Sequence, residues 1–444
     1  MHANNLRCKS FSLANGFDFL FYLAVPIMRY RTAPALDLSQ PLTAPRRALL
    51  RAFLANTEGT HVQIDFASSR QSTLGVEWEL ALVNARTGEL VSVANEVLRG
   101  VASRHPDLNE DDEHPHIKRE LLLNTVELVT GVCNTVKEAK EDLARSLRAV
   151  REVTDPMGVE LFCAGSHPFS PPQLQPVSDK ERYAKLIDRT QWWGRQMVIY
   201  GVHVHVGLDR RDKALPILDG LVNYFPHFQA LSASSPFWGG EDTGYASQRA
   251  LMFQQLPTAG LPFQFPSWAE YESYVQDMFT TGVIDTLSEI RWDIRPVPNL
   301  GTIEMRICDG LATLEEVGAV AALTQCLVDE FSTILDNGGS IPTMPPWHIQ
   351  ENKWRAARYG MEAIIILDAE GNEQLVTEHL KETLLRLAPV AEKLGCSEEL
   401  ADVEKIIARG AGYQRQRRVA AQHDGDLHAV VQDLVEQMRS VPTS

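Results

Sequence analysis

Apolar and polar positions alternate strictly in three short stretches of the chain, and each alternation sorts chemistry onto one face. In residues 201–207, Val202, Val204 and Val206 fall on one side, while Gly201, His203, His205 and Gly207 fall on the other. Residues 74–82 set Glu77 and Glu79 opposite Val76, Trp78 and Leu80. Residues 302–308 set Glu304 and Arg306 opposite Ile303, Met305 and Ile307. A period of two marks half-buried strands. Three strands therefore each turn an apolar side to a core and a polar pair outward. Two imidazoles placed two residues apart stand roughly 7 Å from each other.

A period near 3.6 governs other segments. Over 135–153 the apolar stripe Val136, Ala139, Leu143, Leu147 and Val150 predicts an amphipathic helix. Helices are also expected over 38–56, 180–197, 212–232 (cut by Pro216 and Pro226), 268–280 and 313–335. Four more, polar-faced, follow over 347–359, 378–394, 397–409 and 415–438. Residues 159–164 read as a buried strand, and 89–93 as a hairpin partner of the first site strand. Segments 291–296 and 302–308 flank the turn residues Asn299, Leu300 and Gly301, which predicts another hairpin. Glu127 lies on an alternating strand, but Glu120 is seven residues earlier and has the wrong parity. A bulge or break near Asn124 is needed to bring both to one site. Residues 105–116 are acidic and proline-interrupted, hence a loop. The long irregular stretch 234–265, with Phe237, Trp238, Tyr245 and Arg249, reads as a substrate-side loop or as a structural cover over the core.

These elements imply an α+β fold. Its curved, mainly antiparallel sheet carries helices on one face and leaves an open, charged face for ligand. No GxGxxG follows a strand and no GxxxxGK[ST] occurs, which argues against a dinucleotide or P-loop nucleotide site.

Composition narrows the chemistry. The 444 residues carry a formal charge of −16, which disfavours nucleic acid and an anionic membrane surface as partners. The six cysteines include no CxxC pair and lie mostly in apolar runs, as expected for buried thiols in a reducing cytoplasm. Cys308 shares the Glu304 face and is a candidate lining residue. The apolar run 17–28 is too short to span a bilayer, and Met28 offers an alternative start.

Pooled, the polar set is Glu77, Glu79, Glu120, Glu127, His203, His205, Glu304, Arg295 and Arg306. Bare carboxylates gathered on one sheet face repel and raise each other's pKa. Divalent cations remove that problem, and an oxygen-rich set with imidazole suits Mg²⁺ or Mn²⁺. Four or five carboxylates exceed the needs of one Mg²⁺, so two or three ions are expected. Arginines beside such ions call for an anion between them. Metal-dependent phosphoryl transfer fits.

Several motifs then carry a resemblance. They are Glu77-Trp78-Glu79 within 73–79, Gly165-Ser166-His167-Pro168-Phe169, the two-histidine segment 201–207, and Ser235-Pro236-Phe237-Trp238. The series continues with 242–247 and with Trp292-Asp293-Ile294-Arg295-Pro296 followed by 301–306. In this order they resemble the carboxylate–amine ligase family, also called glutamate–cysteine ligase type 2, of the glutamine-synthetase-like superfamily. The likeness covers roughly residues 64–309 and continues more weakly into the C-terminal helices. It implies a catalytic domain over 63–345 that holds ATP and two or three Mg²⁺ ions. An N-terminal extension (1–62) would precede it, and a helical segment (346–444) would pack on it.

The resemblance also implies roles. Glu77, Glu79, Glu120, Glu127, His203 and Glu304 match the metal-ligand pattern. His205 would reach nucleotide phosphate, and Arg295 and Arg306 would hold the transferred phosphate. Trp238, Tyr245, Arg249 and His167 are the candidate substrate residues. The family's first motif often reads Glu-Glu-Glu; here Trp78 stands between the carboxylates and should face the core. The implied reaction phosphorylates the side-chain carboxylate of glutamate with ATP. The amine of cysteine then attacks, giving γ-glutamylcysteine, ADP and phosphate. Alternatives are the same chemistry on another acid or amine, a metal-dependent amidase or other hydrolase, and a non-catalytic nucleotide-binding regulator. The expected partners are small amino-acid substrates, in the cytoplasm, with a homo-oligomer left open.

Overall fold

The computed structural model describes residues 62–104 and 114–442. The expected helix over 38–56 and the apolar run 17–28 lie outside them, as does most of the acidic loop 105–116. Residues His61–Ser444 form one compact unit, the C-terminal helices included.

In chain order the unit begins with β1 (Leu74–Asn84), α1 (Ala94–Arg104), β2 (Ile117–Arg119), β3 (Thr125–Val129), α2 (Val136–Thr154) and β4 (Val159–Phe162). Next come α3 (Glu181–Thr190), β5 (Val202–Gly207), α4 (Ala214–Asn223), α5 (Phe225–Ser232), a small hairpin β6 (Phe237–Trp238) and β7 (Glu241–Asp242), and α6 (Gln248–Phe253). Then follow α7 (Trp268–Thr280), β8 (Ile294–Val297), β9 (Thr302–Met305) and α8 (Leu314–Asp336). The last part holds α9 (Pro346–Tyr359), β10 (Ile364–Ile366), β11 (Glu373–Leu375), α10 (Val376–Leu394), α11 (Ser397–Arg409), α12 (Gly412–Gln422) and α13 (Leu427–Arg439).

One antiparallel sheet organises the unit. Its order is β2-β3-β1-β5-β9-β8, with β4 also paired to β1. The 11-residue β1 is the hub: one edge pairs β3, and the other pairs β5 along Leu74–Trp78 and then β4 along Ala81–Asn84. The expected hairpin 291–308 is β8–β9, with Arg295 opposite Glu304. The partner expected over 89–93 shrinks to a single bridge between Val83 and Leu90.

Alternation along β1 feeds two cores. Val76, Trp78, Leu80 and Leu82 enter the main core together with Val202, Val204, Val206, Ile303, Met305 and the buried faces of α2 and α8. Trp78 is fully buried and its indole N–H donates to the Leu311 carbonyl (3.0 Å), so it leaves the Glu77 and Glu79 face untouched, as expected. On the other face, Ala81 and Val83 continue the Glu77–Glu79 row into a second core with Phe162, Tyr200, Phe237, Ala420, Val430 and Leu434. The C-terminal helices α12 and α13 thus cover one end of the ligand-bearing face, and the acidic end stays uncovered by them.

α8 is buried on most sides. Among the described residues it is the one helix long and apolar enough to cross a membrane, and 83% of that window is buried inside the protein, which makes it a core helix. Helix starts follow local chemistry. Thr135, Ser267 and Thr313 each accept the N–H three residues on, at Glu138, Glu270 and Glu316.

Three expected helices are shorter than their patterns. The 180–197 helix stops at Thr190, where Gln191 takes a positive φ of 51°. The 212–232 segment breaks at Tyr224, because Pro226 has no N–H to continue the ladder and instead opens α5. The 415–438 segment splits into α12 and α13 across His423-Asp424-Gly425-Asp426. Asp424 and Gly425 have positive φ there, and Asp426 caps the new helix by accepting the His428 N–H (2.9 Å). Stretch 234–265 is not structureless, since it contains β6, β7 and α6.

Candidate active site

Strand register builds the site. β1 and β5 pair Glu77 with His203, β5 and β9 pair His205 with Glu304, and β8 and β9 pair Arg295 with Glu304. On the other edge of β1, Glu79 stands opposite Glu127 of β3. Partners in a ladder are lateral neighbours on one face. Residues distant in sequence therefore meet in one row.

The contacts are direct. His203 Nδ1 lies 2.8 Å from Glu77 Oε2, and His205 Nε2 lies 3.4 Å from Glu77 Oε1 and 3.6 Å from Glu304 Oε1. Arg295 Nε donates to Glu304 Oε2 (2.6 Å), and the Arg306 guanidinium pairs with Glu304 Oε1. Glu304 is fully buried. Glu79 accepts the Gly201 N–H at 2.5 Å. The parity problem at Glu120 is solved by a break. β2 ends at Arg119, β3 starts at Thr125, and Glu120 directly follows β2 in the segment between them, its carboxylate accepting the Leu121 N–H (2.9 Å).

Electrostatics divides the carboxylates into two groups. Burial pushes Glu77 and Glu304 toward the neutral form. His203 and His205 outweigh it at Glu77, and Arg306 and Arg295 outweigh it at Glu304, so both are held well below the usual range. Glu79 is pushed up to about 8 by burial and then by the charge of Glu120. Glu120 and Glu127 are also raised, first by burial. Burial and then Arg306 lower His203 to about 4, leaving it neutral and able to ligate. His205 goes up: burial opposes its charge, but Glu304 and Glu77 win.

Raised carboxylates make a pH prediction for the metal-free protein. A folded pKa near 8 against an unfolded value near 4.5 means that the folded state binds the extra proton between those values. Stability therefore falls as pH rises through the window. Below about pH 6.5 the depressed His203 acts oppositely, so the clean interval is roughly pH 6.5–8. With chelator present, the thermal midpoint should fall across it, the unfolding free energy declining by about 1.4 kcal/mol per pH unit for each proton fully linked. Glu79→Gln should flatten the slope. A midpoint that rises over this interval in both proteins would contradict the assignment.

The donor set fits divalent cations. Among the described residues, Glu77, His203 and Glu304 bring one ligand atom each within 4.8 Å of one another, and so do Glu79, Glu127 and His203. The two groups share His203. Two buried nitrogens that lack a hydrogen-bond acceptor face this region: His205 Nε2, with only the longer carboxylate contacts above, and Arg306 Nε. An N–H at either position suits an anionic oxygen. Thr302 Oγ1 lies 3.1 Å from His205 Nδ1 and fixes the ring so that Nε2 faces Glu77 and Glu304.

Other expected site residues fall elsewhere. His167 is buried and both ring nitrogens are used: Nε2 bonds the Gly88 carbonyl (2.8 Å), and Nδ1 accepts the Phe169 and Ser170 N–H groups. It staples a turn and has no nitrogen left for substrate. Arg249 is likewise not exposed on a loop. It is buried on α6, with its guanidinium against Gly201 and donating to the Arg306 and Ile307 carbonyls, behind Glu79. Trp238 is half-buried beside the second core, and Arg358 lies over the half-buried Tyr245 ring. Cys308 lies in the main core rather than in the site, and burial pushes its thiol up to about 12.

The sequence reading passed over three participants. Thr302 shares the Glu304 face by simple parity. Arg182 opens α3 with its guanidinium 4.5 Å over the Tyr183 ring, close enough for its charge to act on Glu120. Asp309 is buried and accepts Ser234 N–H, Ser235 Oγ–H and Ser247 Oγ–H at 2.7–2.9 Å, which ties the 234–247 stretch to the end of the β9 segment. No periodic pattern signals that knot.

The model of glutamate–cysteine ligase family 2 matches residues 73–433. A candidate glutamate–cysteine ligase 2-1 of Arthrobacter sp. (strain FB24) is 88% identical over 383 residues, which are 86% of this chain and 100% of that protein. A candidate glutamate–cysteine ligase 2 of Mycobacterium tuberculosis (strain CDC 1551 / Oshkosh) is 57% identical over 376 residues, 85% of this chain and 97% of that protein. Among solved structures, glutamate–cysteine ligase from Francisella tularensis in complex with AMP superposes with a TM-score of 0.58 at 14% identity, covering 85% of this chain and 91% of that one. A bifunctional glutathione synthetase from Pasteurella multocida gives 0.59 at 15% identity over 83% of this chain. This chain spans about half of that larger protein, 52% of its length. At such identities the structural likeness speaks to the fold, which is glutamine-synthetase-like.

Proposed function

The chain belongs to glutamate–cysteine ligase family 2, a family of ATP-dependent ligases, and we propose that it joins the γ-carboxylate of L-glutamate to the amine of L-cysteine. The observation that carries this reading is the row Glu77–His203, His205–Glu304–Arg295 with Arg306 beside it. Ionised acids, neutral imidazole and guanidinium converge on one buried spot.

In this proposal Glu77, His203 and Glu304 would hold one Mg²⁺, and the crowded carboxylates Glu79 and Glu127, with Glu120 beside them, would hold a second. Mn²⁺ is the natural substitute. Bound there, the ions neutralise charge on the ATP phosphates. The chain's own groups do the rest. Arg306, through its unpaired Nε, and Arg295 take the oxygens of the transferring phosphoryl group, and His205 Nε2 reaches a phosphate oxygen. The glutamate side-chain carboxylate attacks the γ-phosphorus and ADP leaves. The cysteine amine then attacks the carbonyl carbon of the acyl phosphate, and phosphate leaves with the C–O bond pair. Trp238 and Tyr245 are proposed to border the amine side. The catalytic part is assigned to 63–345 and the supporting helices to 346–444.

The test uses the purified full chain with Mg²⁺, ATP and glutamate, with and without cysteine. ADP release and product mass are followed. Cysteine-dependent ADP release with the γ-glutamylcysteine mass is the expected result, and chelation should lower it by at least about 100-fold. ADP release that requires a different amine would keep the chemistry and replace the substrate. No ATP consumption with any acid–amine pair would overturn the reading.

A further inference from the structure

Lys353 and Asp293 form an ion pair of 2.6 Å in the interior, with 4% and 1% of their surfaces exposed. Lys353 comes from the C-terminal helix α9, and Asp293 directly precedes the strand that carries Arg295. Taking two charges out of water is costly, and an apolar pair of similar shape is often as stable. Such a pair explains little as a stabiliser. It is better suited to fixing one arrangement among several.

The arrangement it fixes is the end of the β8–β9 hairpin. Asp293 is held at three points. Its N–H donates to the Gly260 carbonyl (2.8 Å), its carbonyl accepts the Arg306 N–H (2.8 Å), and its carboxylate takes Lys353. One residue further the ladder pairs Ile294 with Met305, and then Arg295 with Glu304. A displacement of Asp293 therefore passes to both arginines through backbone hydrogen bonds. Lys353 is itself anchored. Its ammonium lies 5.4 Å from the Phe225 ring centre, and its neighbour Asn352 makes two hydrogen bonds to the Ile366 backbone of β10, at 2.7 and 2.8 Å.

We infer that Lys353 is a positioning residue, supplied by the C-terminal helical segment, that acts through Asp293 to hold Arg295 and Arg306 in their working geometry. The catalytic consequence rests on the proposed ligase reading; the structural one does not.

The experiment compares wild type, Lys353→Met and Asp293→Asn as full chains, well below their thermal midpoints. Two readouts are taken: steady-state ATP consumption with saturating acid and amine, and amide hydrogen exchange at 293–295 and 304–307. The expected result is a kcat about 10- to 100-fold lower. KM for ATP should stay within about twofold, since the metal-ligand carboxylates are untouched. Protection of the Arg306 amide should fall with it. Asp293→Asn keeps a hydrogen-bond acceptor for Lys353 and decides the matter if Lys353→Met does not fold. A folded variant with kcat within about twofold of wild type overturns the catalytic role. Should wild type itself consume no ATP, the ligase reading fails, and exchange alone decides: lost protection at Arg306 supports positioning and unchanged protection overturns it.

Discussion

Glu304→Gln should reduce ATP consumption by at least about 10³-fold while the protein keeps its secondary structure. The substitution is nearly isosteric, so the effect comes from charge. Glu304 is fully buried and is the meeting point of Arg295, Arg306 and His205. The amide removes the one carboxylate that both arginines share and offers a weaker oxygen to a cation. The thermal midpoint should drop as well, because two guanidinium groups then lack their counter-charge. Steady-state turnover beside circular dichroism separates the two effects. A folded variant with turnover within about tenfold of wild type would remove Glu304 from the reacting centre.

Arg306→Lys should lower kcat by about 10²- to 10³-fold with little change in KM for ATP. Lysine keeps the charge but loses the planar fork. The structure also ranks the two arginines. Arg295 spends Nη1 on the Ser288 and Ile290 carbonyls, at 3.0 and 2.7 Å, and Nε on Glu304. Arg306 keeps a buried Nε without a partner. Arg295 is the anchored member and Arg306 has a donor to give. Arg295→Lys should therefore affect kcat less than Arg306→Lys, and a measured order the other way round would refute this division of labour.

The acidic end of the site poses a different problem. Glu79, Glu120 and Glu127 crowd together, Glu127 buried and the other two half-buried, and all are pushed up. Without cations the cheapest way to relieve that crowding is to bind protons. Cation binding should then release protons near neutral pH, so metal affinity should rise with pH while the stability of the metal-free protein falls. The same crowding accounts for ordinary strands carrying so many acids. They are tolerable because something positive belongs there.

Much of the site was legible in the alternation along β1, β5 and β9. A period of two assigns each residue to a face whatever the strand's neighbours. Glu77, Glu79, His203, His205, Glu304 and Arg306 were therefore placed together on one face without any knowledge of the topology, and Trp78 was sent to the core. Helices with a sustained apolar stripe, such as α2, α7 and α11, were equally readable, because amphipathic period and cap residues are local properties.

What alternation cannot supply is register and depth. It could not say that Glu77 lies opposite His203, nor that Glu304 takes both arginines, because lateral pairing is set by how the strands slide against one another in the packed sheet. It misjudged His167. A polar residue in an irregular stretch looks available to ligand until the surrounding chain is seen to consume its hydrogen bonds. It also missed Asp309 and Lys353, buried charges whose partners lie 62–75 and 60 residues away. The sequence by itself determined which side chains share a face and hence the chemistry at hand. Only the tertiary structure decided which of them touch, which stay ionised and what holds them there, because those depend on burial and on partners brought from distant parts of the chain.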